Sequence, residues 1–246
     1  MSLPVFHVPG VAGTPAGGEV EVVGDEARHA VVVRRIRVGE QVVLTDGAGI
    51  RSVCTVTATS KSRLSASVVD VEVEPPAAPR LVVVQAIPKG DRGELAVEML
   101  TEVGADVVVP WAASRSVAVW RGERAAKSQA RWRSTAREAA KQSRRAWFPE
   151  VSDMVGTPDV VELLRDAALS VVLHEAGGDP LARVEVPAEG DIVVVVGPEG
   201  GISGDELAAF AEVGARPLRL GSSVLRTSTA GVVAAAAILS RTPRWS

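Results

Sequence analysis

The chain holds one cysteine, Cys54, in 246 residues. An internal disulfide is therefore impossible, and so is a metal site built from several thiolates. A reduced cytoplasm is the compartment this points to. Long apolar runs are also missing. Ile192–Val196 and Ala230–Leu239 fall well short of the roughly 20 residues that cross a bilayer. The opening Met-Ser-Leu-Pro has neither the basic flank nor the apolar core of a signal peptide. His7 and His29 have no further ligands at metal spacing, so no metal site is expected. Two nucleotide signatures are absent as well. Without G-x-x-x-x-G-K-[ST] a P-loop NTPase is excluded, and without G-x-G-x-x-G a standard dinucleotide site is disfavoured. No repeat or low-complexity tract stands out, and Gly10–Gly18 is the one loop that reads as flexible.

What remains is an ordinary globular composition, 46% apolar and 23% charged, at a length comfortable for two domains. The net charge of −3 conceals a strong segregation. Ten basic residues lie between Arg115 and Arg145, opposed only by Glu123 and Glu138, so this window carries +8 and the remainder −11. An acidic protein with one concentrated basic segment suggests an anionic partner docked at a defined place. The alternative is a solvated helix laced with salt bridges.

The first seventy residues read as β-structure. Gln41–Thr45, Val53–Thr57 and Val69–Glu74 are strand candidates, with Asp46-Gly47-Ala48-Gly49 as a turn. The spacer Glu74-Pro75-Pro76-Ala77-Ala78-Pro79 then sets a boundary, giving a first domain over 1–74, a linker over 75–79 and a second domain over 80–246 that should fold alone. Leu81–Ile87 reads as a buried apolar strand, Gly93–Val103 as a helix, and Val107–Val109 as a strand ended by Pro110. The spacing of Ala125, Trp132, Ala136, Ala139, Ser143 and Trp147 predicts one helix over 122–147 with an apolar face, and places Arg124, Lys127, Arg131, Lys141 and Arg145 on the other side. Ser170–Leu173, Asp191–Val196 and Arg216–Leu220 follow as strands separated by helices, the pattern of a largely parallel α/β sheet.

Two strand–loop–helix units near the C-terminus carry the chemistry. In the first, Ile192–Val196 runs into Gly197-Pro198-Glu199-Gly200-Gly201, and Ser203 with Glu206 forms a capping box for the next helix. In the second, Pro217-Leu-Arg-Leu220 runs into Gly221-Ser222-Ser223-Val224-Leu225-Arg226-Thr227 and an Ala/Val-rich helix. Glycines at the carboxyl ends of such strands let a ligand approach the backbone, at the edge where open α/β sheets bind ligands. A structural turn would explain either loop taken alone.

Together these loops resemble the SPOUT methyltransferases, and more closely the RsmE family of 16S ribosomal RNA uridine N3 methyltransferases. The likeness spans nearly the whole chain. Arg28-His29, Arg35 and Asp46-Gly47-Ala48-Gly49 are similar to that family's PUA-like N-terminal domain. Pro88-Lys89-Gly90-Asp91, Glu102-Val103-Gly104 and Arg115-Ser116-Val117 resemble its central segment. Glu138-Ala139-Ala140, Gln142-Ser143 and Arg145 resemble its basic helix, and Leu173-His174-Glu175 its next strand end. Met99, Arg144, Arg34 and Ser228 depart from the pattern, which often has lysine, glycine, leucine and glutamate there.

The resemblance implies an α/β protein with an N-terminal PUA-like β-barrel and a C-terminal SPOUT domain tied in a deep trefoil knot. It implies a homodimer in the cytoplasm that uses S-adenosylmethionine to methylate N3 of a uridine in the decoding region of 16S rRNA, within the small subunit. The cofactor would lie against Leu173, His174, Gly197, Glu199, Gly200, Gly201, Leu220, Gly221, Leu225, Arg226 and Thr227. Arg226, Gln142, Arg145 and Glu138 are the catalytic candidates: Arg226 to stabilise charge on the uracil oxygens or to anchor a phosphate, Arg145 and Gln142 to contact RNA or uracil, Glu138 as a base or an ion-pair partner. Arg28, His29, Arg35, Arg124, Lys127, Arg131 and Arg145 are the RNA-contact candidates. Two other readings compete: a non-enzymatic RNA-binding ribosome-assembly protein, and a small-molecule enzyme on a doubly wound sheet. The paired glycine loops favour the methyltransferase over the first, and the basic window with a separate β-domain favours it over the second.

Overall fold

The computed structural model describes residues 3–245. The chain divides into two compact units, Met1–Pro76 with Ala140–Phe148, and Ala77–Ala139 with Pro149–Ser246. The first break falls in the proline-rich segment. The return of Ala140–Phe148 to the first unit departs from a single cut at 75–79.

The first unit is a five-stranded sheet built from β1 (Val5–His7), β2 (Glu19–Val23), β3 (Gln41–Thr45), β4 (Ile50–Ser60) and β5 (Arg63–Val73), ordered β1-β3-β4-β5-β2. β1 runs parallel to β3 and the remaining pairs are antiparallel. Alternation along β3, β4 and β5 sends Val42, Leu44, Cys54, Val56, Leu64, Ala66 and Val68 into one core. Register shifts at Val53/Cys54 and Val56/Ala58 bend the long β4–β5 hairpin. A short helix, α1 (Gly24–Arg28), follows β2 and adds Ala27 to the core. Burial pushes the Cys54 thiol up to about 11, so it stays protonated and inert.

Ala140–Phe148 is held in this unit by specific bonds. Gly49 N–H donates to Ala146 O at 3.1 Å, Phe148 N–H to Gly47 O at 2.9 Å, and Trp147 Nε1 to Glu74 O at 2.8 Å. The basic helix, α3 (Glu123–Gln142), ends five residues before the expected 147. Arg144 then turns the chain with φ +57, a left-handed conformation that favours glycine. Trp147 therefore lies off the helix. Lys141 is also not on a solvated face. It is buried, and its Nζ meets Glu26 Oε1 of α1 at 2.6 Å.

The second unit is a seven-stranded sheet with every pair parallel, ordered β10-β12-β9-β11-β6-β7-β8. Its strands are β6 (Arg80–Ala86), β7 (Val107–Trp111), β8 (Glu150–Val151), β9 (Leu169–Leu173), β10 (Asp179–Pro180), β11 (Asp191–Val196) and β12 (Arg216–Arg219). The central strands read as unbroken β-branched runs because both faces are covered. Leu81, Val83, Ile192, Val194 and Val196 face α2 (Arg92–Val103), α3 and α6 (Thr227–Leu239). Val82, Val84, Val193 and Val195 face α4 (Thr157–Asp166) and α5 (Gly204–Glu212). Pro110 does not end β7, which continues to Trp111; β8 pairs only with Val107 and Val108, so the missing N–H breaks no bond of that ladder. The C-terminal end is clamped by Arg244, whose guanidinium bonds Asp106 at 2.6 and 3.1 Å and the carbonyls of Pro79 and Gly104.

The Lys141–Glu26 pair generates a prediction. Lys141→Met leaves the partly exposed Glu26 carboxylate without its cation, and losing such a charge-assisted hydrogen bond costs about 2 kcal/mol. Urea unfolding at pH 7 should show a loss of that order for Lys141→Met. A loss below about 0.5 kcal/mol, as for an exposed pair, would contradict it.

Candidate functional site

Because β12, β9 and β11 are parallel neighbours, their carboxyl ends deliver three loops side by side. These loops enclose a cleft of about 720 Å3, wholly within the second unit. Leu173 ends β9 and His174 and Glu175 follow it, Gly197 to Ile202 come from the loop after β11, and Leu220 to Arg226 from the loop after β12. All eleven expected cofactor residues, Leu173, His174, Gly197, Glu199, Gly200, Gly201, Leu220, Gly221, Leu225, Arg226 and Thr227, line it.

The loop after β11 is fixed by close backbone packing and one buried carboxylate. A Cβ at Gly200 would lie 3.0 Å from Arg115 O and 3.2 Å from Arg115 Cβ, so this crossing is closed to larger residues. Gly201 follows with φ +73. Lys89 N–H donates to Glu199 Oε1 at 3.2 Å, tying the loop to the segment after β6. Glu206 caps α5 as expected, and reaches much further. Its carboxylate accepts from Ser203 N–H and Oγ at 2.9 and 2.8 Å, from Ser114 N–H at 2.8 Å and from Thr157 Oγ at 3.1 Å. It thereby joins the cleft loop, the stretch carrying Arg115 and the start of α4.

His174 is oriented by Ala176, whose N–H donates to Nδ1 at 3.2 Å. The neutral ring then carries its proton on Nε2, as a donor. Arg226 is the exposed N-cap residue of α6. Thr227, the first helical residue, is buried; its hydroxyl donates to Gly197 O at 2.9 Å and accepts from Gln85 Nε2 at 3.0 Å. Arg92, Arg115 and Arg219 add positive charge to the lining, opposed by Glu175 and Glu199.

The other candidates lie elsewhere. Glu138 is exposed on α3 and is not part of the cleft lining, while Gln142 and Arg145 belong to the first unit. Arg28 and Arg35 are exposed in the first unit, the latter with φ +57. His29 is half-buried and packs edge-on against Phe6 at 6.0 Å, so its ring takes part in packing. Arg124, Lys127 and Arg131 are exposed on α3, and Arg131 pairs with Glu94 at 3.2 Å. Sequence reasoning missed Arg92 and Arg219 in the lining, the bond from buried Gln85 to the lining residue Thr227, and the wider reach of Glu206. Gln85 had a signal, being the one polar side chain inside the apolar run Leu81–Ile87.

Burial alone would raise the Glu206 pKa, but the Ser114 and Ser203 hydrogen bonds outweigh it and hold the carboxyl below the ordinary 4.5. A depressed folded-state pKa gives stability that is present above the unfolded value and lost as pH falls through the folded one. Urea unfolding should therefore weaken below pH about 4.5 in the native chain. Glu206→Gln should cost about 2 kcal/mol at pH 7 and lose part of that acid dependence. Identical pH profiles for the two proteins would contradict this role.

Comparison with known proteins agrees with the geometry. A family model described as RNA methyltransferase domain matches residues 75–239, and one described as RNA methyltransferase PUA domain matches residues 24–69. The chain is 47% identical over 236 residues to ribosomal RNA small subunit methyltransferase E of Mycobacterium bovis, covering 94% of this chain and 90% of that protein. The same enzyme from Neisseria gonorrhoeae, solved bound to S-adenosyl methionine, superposes with a TM-score of 0.87 at 28% identity, covering 97% of this chain and 98% of that one. A Legionella pneumophila methyltransferase in complex with the same cofactor gives 0.88 at 26% identity, covering 98% and 99%. The two cofactor-bound relatives thus share the sheet whose edge forms the cleft, and the sequence identity extends over both units. The chain belongs to the ribosomal RNA small subunit methyltransferase E family.

Proposed function

We propose that this protein transfers a methyl group from S-adenosylmethionine to N3 of a uridine in the decoding region of 16S rRNA. The observation that carries the reading is the convergence of three loops from adjacent parallel strands on one cleft that lacks any phosphate-cradle motif. The residues fit such a cofactor. The volume lies in the roughly 300–1,000 Å3 range of small-molecule sites. Leu173, Leu220, Leu225 and Ile202 offer apolar surface to a purine, while loop backbone and His174 Nε2–H offer hydrogen bonds to the polar parts.

S-adenosylmethionine, when bound, supplies an electrophilic methyl group on a sulfonium. The protein's task is then chiefly positioning, since an in-line displacement gains most from aligned reactants. The uridine N3 proton must leave before the nitrogen can attack. We assign Arg226, held at the start of α6, to stabilise the negative charge that develops on the uracil oxygens. Glu138, Gln142 and Arg145 are not among the residues that line the cleft, and we assign them a part in the reaction through the second copy of a homodimer. We extend the reading to that homodimer, to a trefoil knot in the second unit, to the small ribosomal subunit as the substrate assembly, and to the cytoplasm. Among the described residues no helix is long and apolar enough to cross a membrane. Arg28, Arg35, Arg124, Lys127, Arg131 and Arg145 are assigned to RNA phosphates.

Two measurements test this. Titration calorimetry should show S-adenosylmethionine binding that Gly221→Val abolishes without unfolding the protein. A Cβ at Gly221 meets no atom within 4 Å, so the added carbons occupy open space at a lining residue. Absence of binding by the native chain would overturn the methyltransferase reading. For RNA, log K against log[salt] should have a slope of about −0.7 to −0.9 per phosphate contact. Arg124→Gln and Lys127→Gln should each flatten it by about one contact, and Arg131→Gln by less, because Arg131 already pairs with Glu94. A slope indifferent to all three would make α3 a solvated face.

A further inference from the structure

The strand β6 alternates in register with its neighbours. Val82, Val84 and Ala86 face the α4–α5 layer, and Leu81 and Val83 the α2–α6 layer. Gln85 takes the next position towards α6, opposite Val196 of β11, and is fully buried. A primary amide in that place needs a reason.

Its hydrogen bonds have only one consistent direction. Ala86 O, 3.1 Å away, can only accept, so the amide atom beside it is the nitrogen. Gly197 O likewise only accepts, and Thr227 has one hydroxyl proton to give it. Thr227 must therefore accept from Gln85 Nε2. The relay runs from Gln85 through Thr227 to the Gly197 carbonyl. It connects the end of β6, the first turn of α6 and the start of the loop after β11. Gln85 Oε1 is buried and accepts from no group among the described residues. An unpaired buried acceptor is destabilising, so this amide is poorly explained as a stabilising core group.

We propose that Gln85 is a positioning residue for the cofactor cleft, setting the Gly197 carbonyl and the Arg226–Thr227 turn through the Thr227 hydroxyl. The proposal rests on the reading that this cleft holds S-adenosylmethionine. Calorimetry on the full chain separates the two, because the native protein must bind the cofactor before any variant can lose it.

Gln85→Met keeps the volume and removes both the donor and the unpaired oxygen. The melting temperature should hold or rise, while the S-adenosylmethionine Kd weakens about tenfold. In methyl transfer to 16S rRNA, the KM for S-adenosylmethionine should rise by the same factor with the KM for RNA unchanged. Thr227→Val should weaken cofactor binding equally, the double variant should bind no worse than either single one, and Thr227→Ser should restore near-native binding. The proposal is overturned if Gln85→Met binds as tightly as the native chain. It is equally overturned if affinity and melting temperature fall together, or if the two single losses add in the double variant. A native chain that binds no S-adenosylmethionine overturns the cleft reading first, and this assignment with it.

Discussion

A parallel sheet covered on both faces leaves its ligands one kind of place to bind. Its strands carry apolar side chains above and below, as Val83 and Val84 do on β6, so neither face is open. Every crossover must return to the same edge, and all strands then end together at the other. In this protein β12, β9 and β11 end side by side, and a cleft forms where their loops meet. The cleft is thus a consequence of strand direction. Only the loop residues decide what enters it.

Such loops have little apolar surface with which to hold a shape, and here polar groups driven into the core do that work. Glu206 collects bonds from Ser203, Ser114 and Thr157, three segments far apart in sequence. Gln85 and Thr227 fasten the Gly197 carbonyl from below. In a low-dielectric interior each such bond is strong, and each missing partner is costly. The loop after β11 therefore has few alternative conformations, and Gly200 can pass within a methyl's width of Arg115. Preorganisation of this kind suits a displacement that depends on alignment more than on acid–base chemistry.

The charge distribution complements that geometry. With −11 outside the basic window, most of the surface repels a polyanion, and the +8 segment becomes the favoured approach. At physiological ionic strength the Debye length is about 8 Å, so each patch acts almost independently of the net charge. Overall acidity therefore says little about an RNA partner. Not all of the segment's charge is available for that purpose, however. Arg131 and Arg133 are paired with Glu94 and Asp153, and Lys141 is buried against Glu26.

That last residue shows where sequence reading runs out. The central strands of the second unit and the two glycine loops were legible because β-branched runs and glycines at strand ends have direct physical meanings. The loop after β9 followed only from the family resemblance, and the short strands β1, β2, β8 and β10 left no such mark. Periodicity, by contrast, locates a helix face but not the helix end. Ser143 and Trp147 continue the apolar spacing of α3, so nothing in the pattern stops it at Gln142. The stop lies in backbone conformation: Arg144 sits at φ +57, where a glycine would have announced the turn. Once the chain turns there, Trp147 bonds Glu74 and Ala146 bonds Gly49 in the first unit. Lys141 is carried with them into contact with Glu26. A lysine spaced with exposed arginines reads as one more surface charge, and only the long-range fold supplies the carboxylate that lets it be buried. The same holds for Gln85: its polarity was visible in the strand, but its partner Thr227 lies 142 residues away and is brought to it by the sheet.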